Sequence, residues 1–318
     1  MTHSKYRKQL PQLGDTRLLT DGGIETTLIF HDGLDLPLFA AFTLLRQETG
    51  RTALRRYYES YIRVARDLGV GLILDSATWR ASQDWGNLLD YDAAALADAN
   101  RAAIAMLFGL RAEFEGAEAF VISGNVGPRG DGYAPNAIMT PEQADAYHFA
   151  QIATFASAGV DMISAITMTH AGEAAGIARA CARLQVPLAL SFTVETDGRL
   201  PSGQALGDAI REVDADLSGG PTYYMINCAH PEHFQKVLRS GEDWTRRIRG
   251  LRANASRLSH AELDAADTLD MGDPCELGRD YARLLPLLPN LRVFGGCCGT
   301  DHRHITEIGQ ACIPVPAI

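Results

Sequence analysis

The chemistry-bearing residues of this 318-residue chain gather in a few short motifs, and the most reactive of them is Gly295-Gly296-Cys297-Cys298-Gly299-Thr300. Two adjacent cysteines among glycines, with Cys228 following Asn227 well before them, can supply three thiolates to one metal ion. Zinc prefers thiolate sulfur, lowers cysteine pKa values, and in catalytic sites takes three protein ligands while a fourth position stays open to water or substrate. Three thiolates leave such a site electron-rich, which suits a nucleophilic bound thiolate better than it suits acidifying water. Other readings stay open. Cys228 can simply fill a strand end, with Cys297-Cys298 forming a tight turn or a redox-sensing vicinal disulfide in a catalytically silent barrel. A closed structural zinc site would recruit His230, His302 or His304, but adjacent cysteines differ from the spaced pairs of zinc knuckles.

For these cysteines to meet, the fold must bring distant segments to one rim. Short apolar runs with strand character recur at Arg17 to Thr20, Val70 to Leu74, Ala119 to Ser123, Val160 to Ser164, Leu188 to Phe192, Tyr223 to Asn227, Ile248 to Arg252 and Arg292 to Phe294. Between them, Thr52 to Leu68, Ala93 to Phe114, Pro141 to Ala158 and Glu276 to Leu288 place apolar residues at helical spacing. Thr140 ahead of Pro141 marks a helix entry, and Thr300-Asp301 can cap the last helix. Eight strands alternating with helices predict an α/β fold, a (β/α)8 TIM barrel, as one domain over residues 1–318. No GxGxxG fingerprint or Walker loop points to a dinucleotide or triphosphate.

Chemistry in such barrels sits at the C-terminal strand ends, so the zinc is expected on that face. Polar and aromatic residues at or just beyond the strand ends form the candidate substrate-binding set: Asp21, Glu25, Thr26, Ser76, Thr78, Trp79, Arg80, Asn125, Thr167, Glu195, Asn227 and Asn254. The three asparagines can orient a substrate or a metal ligand through their amides. A metallohydrolase on this fold would show His-x-His at an early strand end, where this chain has Asp21-Gly22-Gly23.

The net charge of −10 and the lack of a basic block disfavour nucleic acid. The basic start is followed by Gln9-Leu10-Pro11-Gln12 rather than an apolar core, and no stretch is expected to approach membrane-spanning length. Six cysteines are too sparse to staple a chain this long. The expectation is a cytoplasmic enzyme acting on small molecules; a homo-oligomer is left open.

The landmarks Asp21-Gly22-Gly23 with Glu25-Thr26 and Leu28, Ser123-Gly124-Asn125-Val126-Gly127-Pro128, Gly159-Val160-Asp161, Ser191-Phe192-Thr193, Asn227-Cys228, Asn254 with Ser256, and Gly295 to Thr300 run across nearly the whole chain. In these the chain resembles the homocysteine S-methyltransferase family, which includes betaine- and S-methylmethionine-dependent enzymes. The resemblance implies a (β/α)8 barrel with zinc on Cys228, Cys297 and Cys298. It also implies a homocysteine thiol in the open position, attacking a methyl group on a sulfonium or quaternary ammonium donor, and Asp21 at the homocysteine amino group.

Two departures bear on substrate. The family's Glu-Thr pair at the end of strand four, whose Glu also binds the amino group, is matched by Ile166-Thr167. Losing one charge-assisted hydrogen bond costs about 1.5–3 kcal/mol, or one to two decades of affinity, and opens the way to a different thiol. Glu195 is expected to compensate, and Glu173 to lie on a solvated helix face. After strand two, Trp79 can accept a cationic methyl donor on its ring face, and Arg80 can pair with a donor carboxylate.

Overall fold

Eight parallel strands pair in chain order and close on themselves: β1 (Leu18–Leu19), β2 (Gly71–Asp75), β3 (Phe120–Val126), β4 (Met162–Met168), β5 (Leu188–Phe192), β6 (Tyr223–Asn227), β7 (Ile248–Ala253) and β8 (Val293–Gly296). Each is followed by a helix of the outer ring: α1 (Glu48–Asp67), α2 (Ala93–Phe114), α3 (Pro141–Ala158), α4 (Ala171–Arg183), α5 (Leu206–Asp216), α6 (Pro231–Leu238), α7 (Pro274–Leu284) and α8 (His302–Cys312). The computed structural model describes residues 4–114, 116–133, 135, 138–217, 220–239 and 241–313. The expected TIM barrel is present.

Side chains alternate across each strand, so every second residue points into the barrel. The lower interior is apolar, filled by Leu18, Ile73, Val121, Met162, Ala189, Tyr223 and Val293 and closed from below by Leu10. Two residues further along, the same strands change character. Ser123 and Ser164 share a hydrogen bond at 2.8 Å, Ser191 donates to Asn227, and Arg252 spans Asp21 and Asp75. The interior therefore turns polar toward the C-terminal rim, where the cavity lies.

Several boundaries differ from those expected, each for a local reason. β4 starts only at Met162, because Gly159 ends α3 in the left-handed region (φ 92°) and Val160 still bonds back to Phe155. It then runs on to Met168 through a register shift after Ala165, where Thr167 takes φ 65°. α7 begins at Pro274 behind an Asp273 cap and stops at Leu284, just before Pro286, whose missing N–H cannot continue the ladder. At α3 the expected entry is a full capping box: Thr140 Oγ1 accepts from the Gln143 N–H, and Gln143 Oε1 from the Thr140 N–H. Asp301 caps α8 in the same manner.

One expectation fails on composition. α2 has 22 residues and an 18-residue stretch of mean hydropathy 1.3, long and apolar enough to cross a membrane. Its alanines raise the hydropathy, yet Leu96, Asn100, Ala103, Leu107 and Arg111 form a helical stripe buried in the barrel ring. Arg111 there pairs with buried Asp161 at 2.6 Å.

Candidate active site

β6 ends at Asn227, and the chain turns sharply at Cys228, whose φ of 57° is uncommon for a residue with a side chain. Neighbours hold it there. The Cys228 N–H bonds to the Arg252 carbonyl at 3.0 Å, and its own carbonyl lies 2.6 Å from His260 Nε2. The Asn227 amide is fully used: Oδ1 accepts from the Thr167 N–H (2.8 Å) and Ser191 Oγ (2.6 Å), while Nδ2 donates to Thr167 Oγ1 and approaches Cys297 Sγ at 3.8 Å. Asn227 thus ties β4, β5, β6 and the second cysteine motif together from behind the cavity.

Beyond β8, the Cys297 carbonyl accepts from the Thr300 N–H and Thr300 Oγ1. Packing around this turn explains its glycines. A Cβ on Gly296 would fall 2.0 Å from Thr300 Oγ1, and one on Gly23 would fall 2.6 Å from the Cys297 carbonyl oxygen.

The sulfurs of Cys228, Cys297 and Cys298 all lie within 4.8 Å of one another, and Cys228 and Cys298 are 3.6 Å apart. Tetrahedral zinc with bonds of about 2.3 Å sets its sulfurs about 3.8 Å apart, so the trio suits the ion. All three are free thiols here. Among the described residues no histidine or carboxylate joins the cluster. His230 instead caps α6 through the Glu232 N–H, and His304 bonds to the Asp301 N–H and the Met271 carbonyl. The closed structural site with a histidine ligand is therefore not formed. Hydrogen bonds from Cys228 and Cys298, aided by the charge of Arg252, hold the Cys297 thiol well below its ordinary range, and Cys228 is pushed up in turn. One member of the trio is already disposed to be the thiolate that a metal requires.

Tyr133, which sequence reasoning missed, places its hydroxyl 3.1 Å from Cys228 Sγ and 3.4 Å from Cys298 Sγ. Its ring stacks on His260 at 4.1 Å. An aromatic after Asp131-Gly132 in the loop beyond β3 is the only sequence signal, and it resembles ordinary turn chemistry.

The cysteines open onto a cavity of about 210 Å³. Its floor is the buried triad in which Arg252 donates to Asp21 and Asp75, each at 2.5 Å, while Tyr57 donates to the other Asp21 oxygen at 3.0 Å. Burial pushes the Asp21 carboxyl up to about 6, against the pull of Arg252 and with the push of Asp75. One wall is a closed network: Ser76 Oγ lies 2.7 Å from Thr78 Oγ1, Thr78 donates to the Asn125 carbonyl, and the Asn125 N–H donates to Ser76. Ile166 and Thr167, on β4 beside β3, extend this wall, and Glu25, Thr26, Trp79 and Arg80 complete the lining. Arg80 lies over the rings of Trp85 (3.8 Å) and Trp79 (4.8 Å), so the cation against Trp79 here is the protein's own.

Besides Asn227, two expected substrate residues lie outside the cavity, and Glu173 is not solvated. Glu195 does not reach the cavity, because it is engaged by His260 Nδ1 at 3.1 Å, so it cannot compensate for Ile166. Asn254 is buried behind the Cys228 turn, with its N–H on the Ala229 carbonyl. Glu173 lies on α4 as expected but is buried rather than solvated. It accepts from the Arg129 N–H at 2.7 Å and lies 2.9 Å from His148 Nε2, anchoring the loop that carries Tyr133.

Three solved structures share this fold over nearly the whole chain, all of the homocysteine methyltransferase MmuM from Escherichia coli. They are its oxidized form (TM-score 0.73, 20% identity, 95% of this chain and 97% of that one), its metallated form (0.71, 20%, 93% and 96%) and its apo form (0.65, 21%, 96% and 98%). No protein of curated function matches the sequence. The family model described as homocysteine S-methyltransferase matches residues 18–312, from the first barrel strand to the end of α8, and the chain belongs to the homocysteine S-methyltransferase family.

Proposed function

We propose that the protein, working as one barrel domain, is a zinc-dependent methyltransferase that methylates homocysteine to methionine from a sulfonium or quaternary ammonium donor. The observation that carries this is the convergence of three free cysteine sulfurs, from the ends of β6 and β8, on one side of a cavity that admits small molecules. Zinc held by Cys228, Cys297 and Cys298 would supply a Lewis-acidic position at which a substrate thiol gives up its proton. The thiolate sulfur bonds to the methyl carbon as the methyl's bond to the donor heteroatom breaks, the electron pair leaving with the donor. Asn227 approaches Cys297 and His260 holds the Cys228 carbonyl, so both would steady the metal's ligands, and the cavity walls would align the two reactants for in-line attack.

Metal analysis joined to a donor panel tests the reading. About one zinc per chain together with methionine formation supports it; zinc with no thiol methylated by any donor overturns it.

Arg80 supports a zwitterionic donor. Its guanidinium lies over the rings of Trp85 and Trp79, its Nε has no hydrogen-bond partner, and its ion pair among the described residues is a loose one, with Asp131 at 3.8 Å. Arg80→Ala is expected to raise the donor KM about 10- to 100-fold and leave the thiol KM within a factor of about two. An unchanged donor KM would remove this assignment.

A further inference from the structure

Five carboxylates line the cavity, and all but one are accounted for. Asp21 and Asp75 are held by Arg252, Asp131 faces Arg80, and Asp264 stands exposed at the rim. The remaining one is Glu25, half-buried, for which the described residues show no ion-pair or side-chain hydrogen-bond partner. Its location is specific. The turn Gly23 to Thr26 docks directly on the cysteine loop: the Gly23 N–H bonds to the Thr300 carbonyl, and the Gly299 N–H donates to Thr26 Oγ1. Glu25 therefore enters the cavity beside the cysteine loop, with the Arg80 guanidinium near enough to feel its charge but not paired with it.

Resting on the proposed function above, we infer that Glu25 is the residue that binds the ammonium group of the amino-acid thiol, the task left vacant by Ile166 at the end of β4. The electrostatics agree with the geometry. Burial, with the nearby Cys297 and Asp21 charges, pushes the Glu25 carboxyl up to about 7, its own backbone N–H and the Arg80 charge pulling the other way without offsetting it. A carboxyl so placed gains from an arriving cation, because ion pairing restores its ionised form. Glu195 cannot serve, since His260 holds it outside the cavity. Asp21, whose oxygens already accept from Arg252 and Tyr57, can add a remaining acceptor site beside Glu25 but not replace it. Glu25 is thus the specificity-determining group for an α-ammonium, and a thiol without one gains nothing from it.

The test compares homocysteine with its des-amino analogue, 4-mercaptobutanoate, by calorimetric titration of the zinc-loaded protein, wild type against Glu25→Gln and Glu25→Ala. Both variants are expected to bind homocysteine about 10- to 100-fold more weakly, to bind 4-mercaptobutanoate within about threefold of wild type, and to retain zinc. Homocysteine affinity that is unchanged, or that falls equally with the analogue, overturns the assignment while leaving thiol binding at zinc intact. A rise in donor KM alone overturns it in favour of a donor site. If wild-type protein binds neither thiol, the proposed function fails, and this assignment with it.

Discussion

Cys297→Ser is expected to cost more than about 100-fold in zinc affinity and to abolish methyl transfer. The lower bound follows from the 10- to 100-fold that loss of a mere supporting partner of a metal ligand costs; removing the ligand itself should exceed it. Cys297 is the member of the trio already biased toward thiolate by Cys228, Cys298 and Arg252, so a neutral hydroxyl there removes both a ligand and the charge that the site is organised around. Competition with a chromophoric chelator measures the affinity, and a methyl-transfer assay the activity. Cys275→Ser is the control: Cys275 is exposed at the start of α7, outside the cluster, and its replacement should leave zinc content unchanged. Equal zinc binding in Cys297→Ser and wild type would remove the metal from this site.

Arg252→Met should destabilise the fold by about 3–5 kcal/mol, the usual cost of removing one partner from a buried ion pair. Methionine keeps the length of the side chain but leaves Asp21 and Asp75 facing each other without their shared cation. The deficit should grow with pH. Even beside Arg252 the Asp21 carboxyl sits at about 6, above its ordinary 3.8, and without the guanidinium it must lie higher. A folded-state pKa above the unfolded value means that the folded state binds the extra proton, so stability is recovered as pH falls and lost as pH rises through the folded value. Denaturant unfolding at pH 5 and pH 8 should therefore show the smaller difference from wild type at pH 5. Equal midpoints for variant and wild type at pH 8 would show that the triad contributes nothing to stability.

Much of the scaffold was legible in the sequence. β5, β6, α2 and α3 have the expected bounds, because their apolar periods are long or their ends carry strong signals: Thr140-Pro141 at one end of α3 and Gly159 at the other. The errors fall where tertiary contacts override local pattern. β4 passes through a bulge at Ile166-Thr167 that no local signal marks, since Asn227, sixty positions away, secures the Thr167 backbone. The hydropathy of α2 hides which face it buries, because alanine is apolar wherever it points.

The same division runs through the site. That Cys228, Cys297 and Cys298 meet could be expected from the sequence alone, because a barrel must bring its strand ends to one rim. Which carboxylate is free to meet a substrate could not. Asp21, Glu25 and Glu195 are equivalent as letters, and only the folded chain commits Asp21 to Arg252 and Glu195 to His260 while leaving Glu25 open to the cavity. Tyr133 and Arg252 were hidden for the same reason: their effect comes from distances across the barrel, and long-range electrostatic partners leave no periodic trace in a sequence.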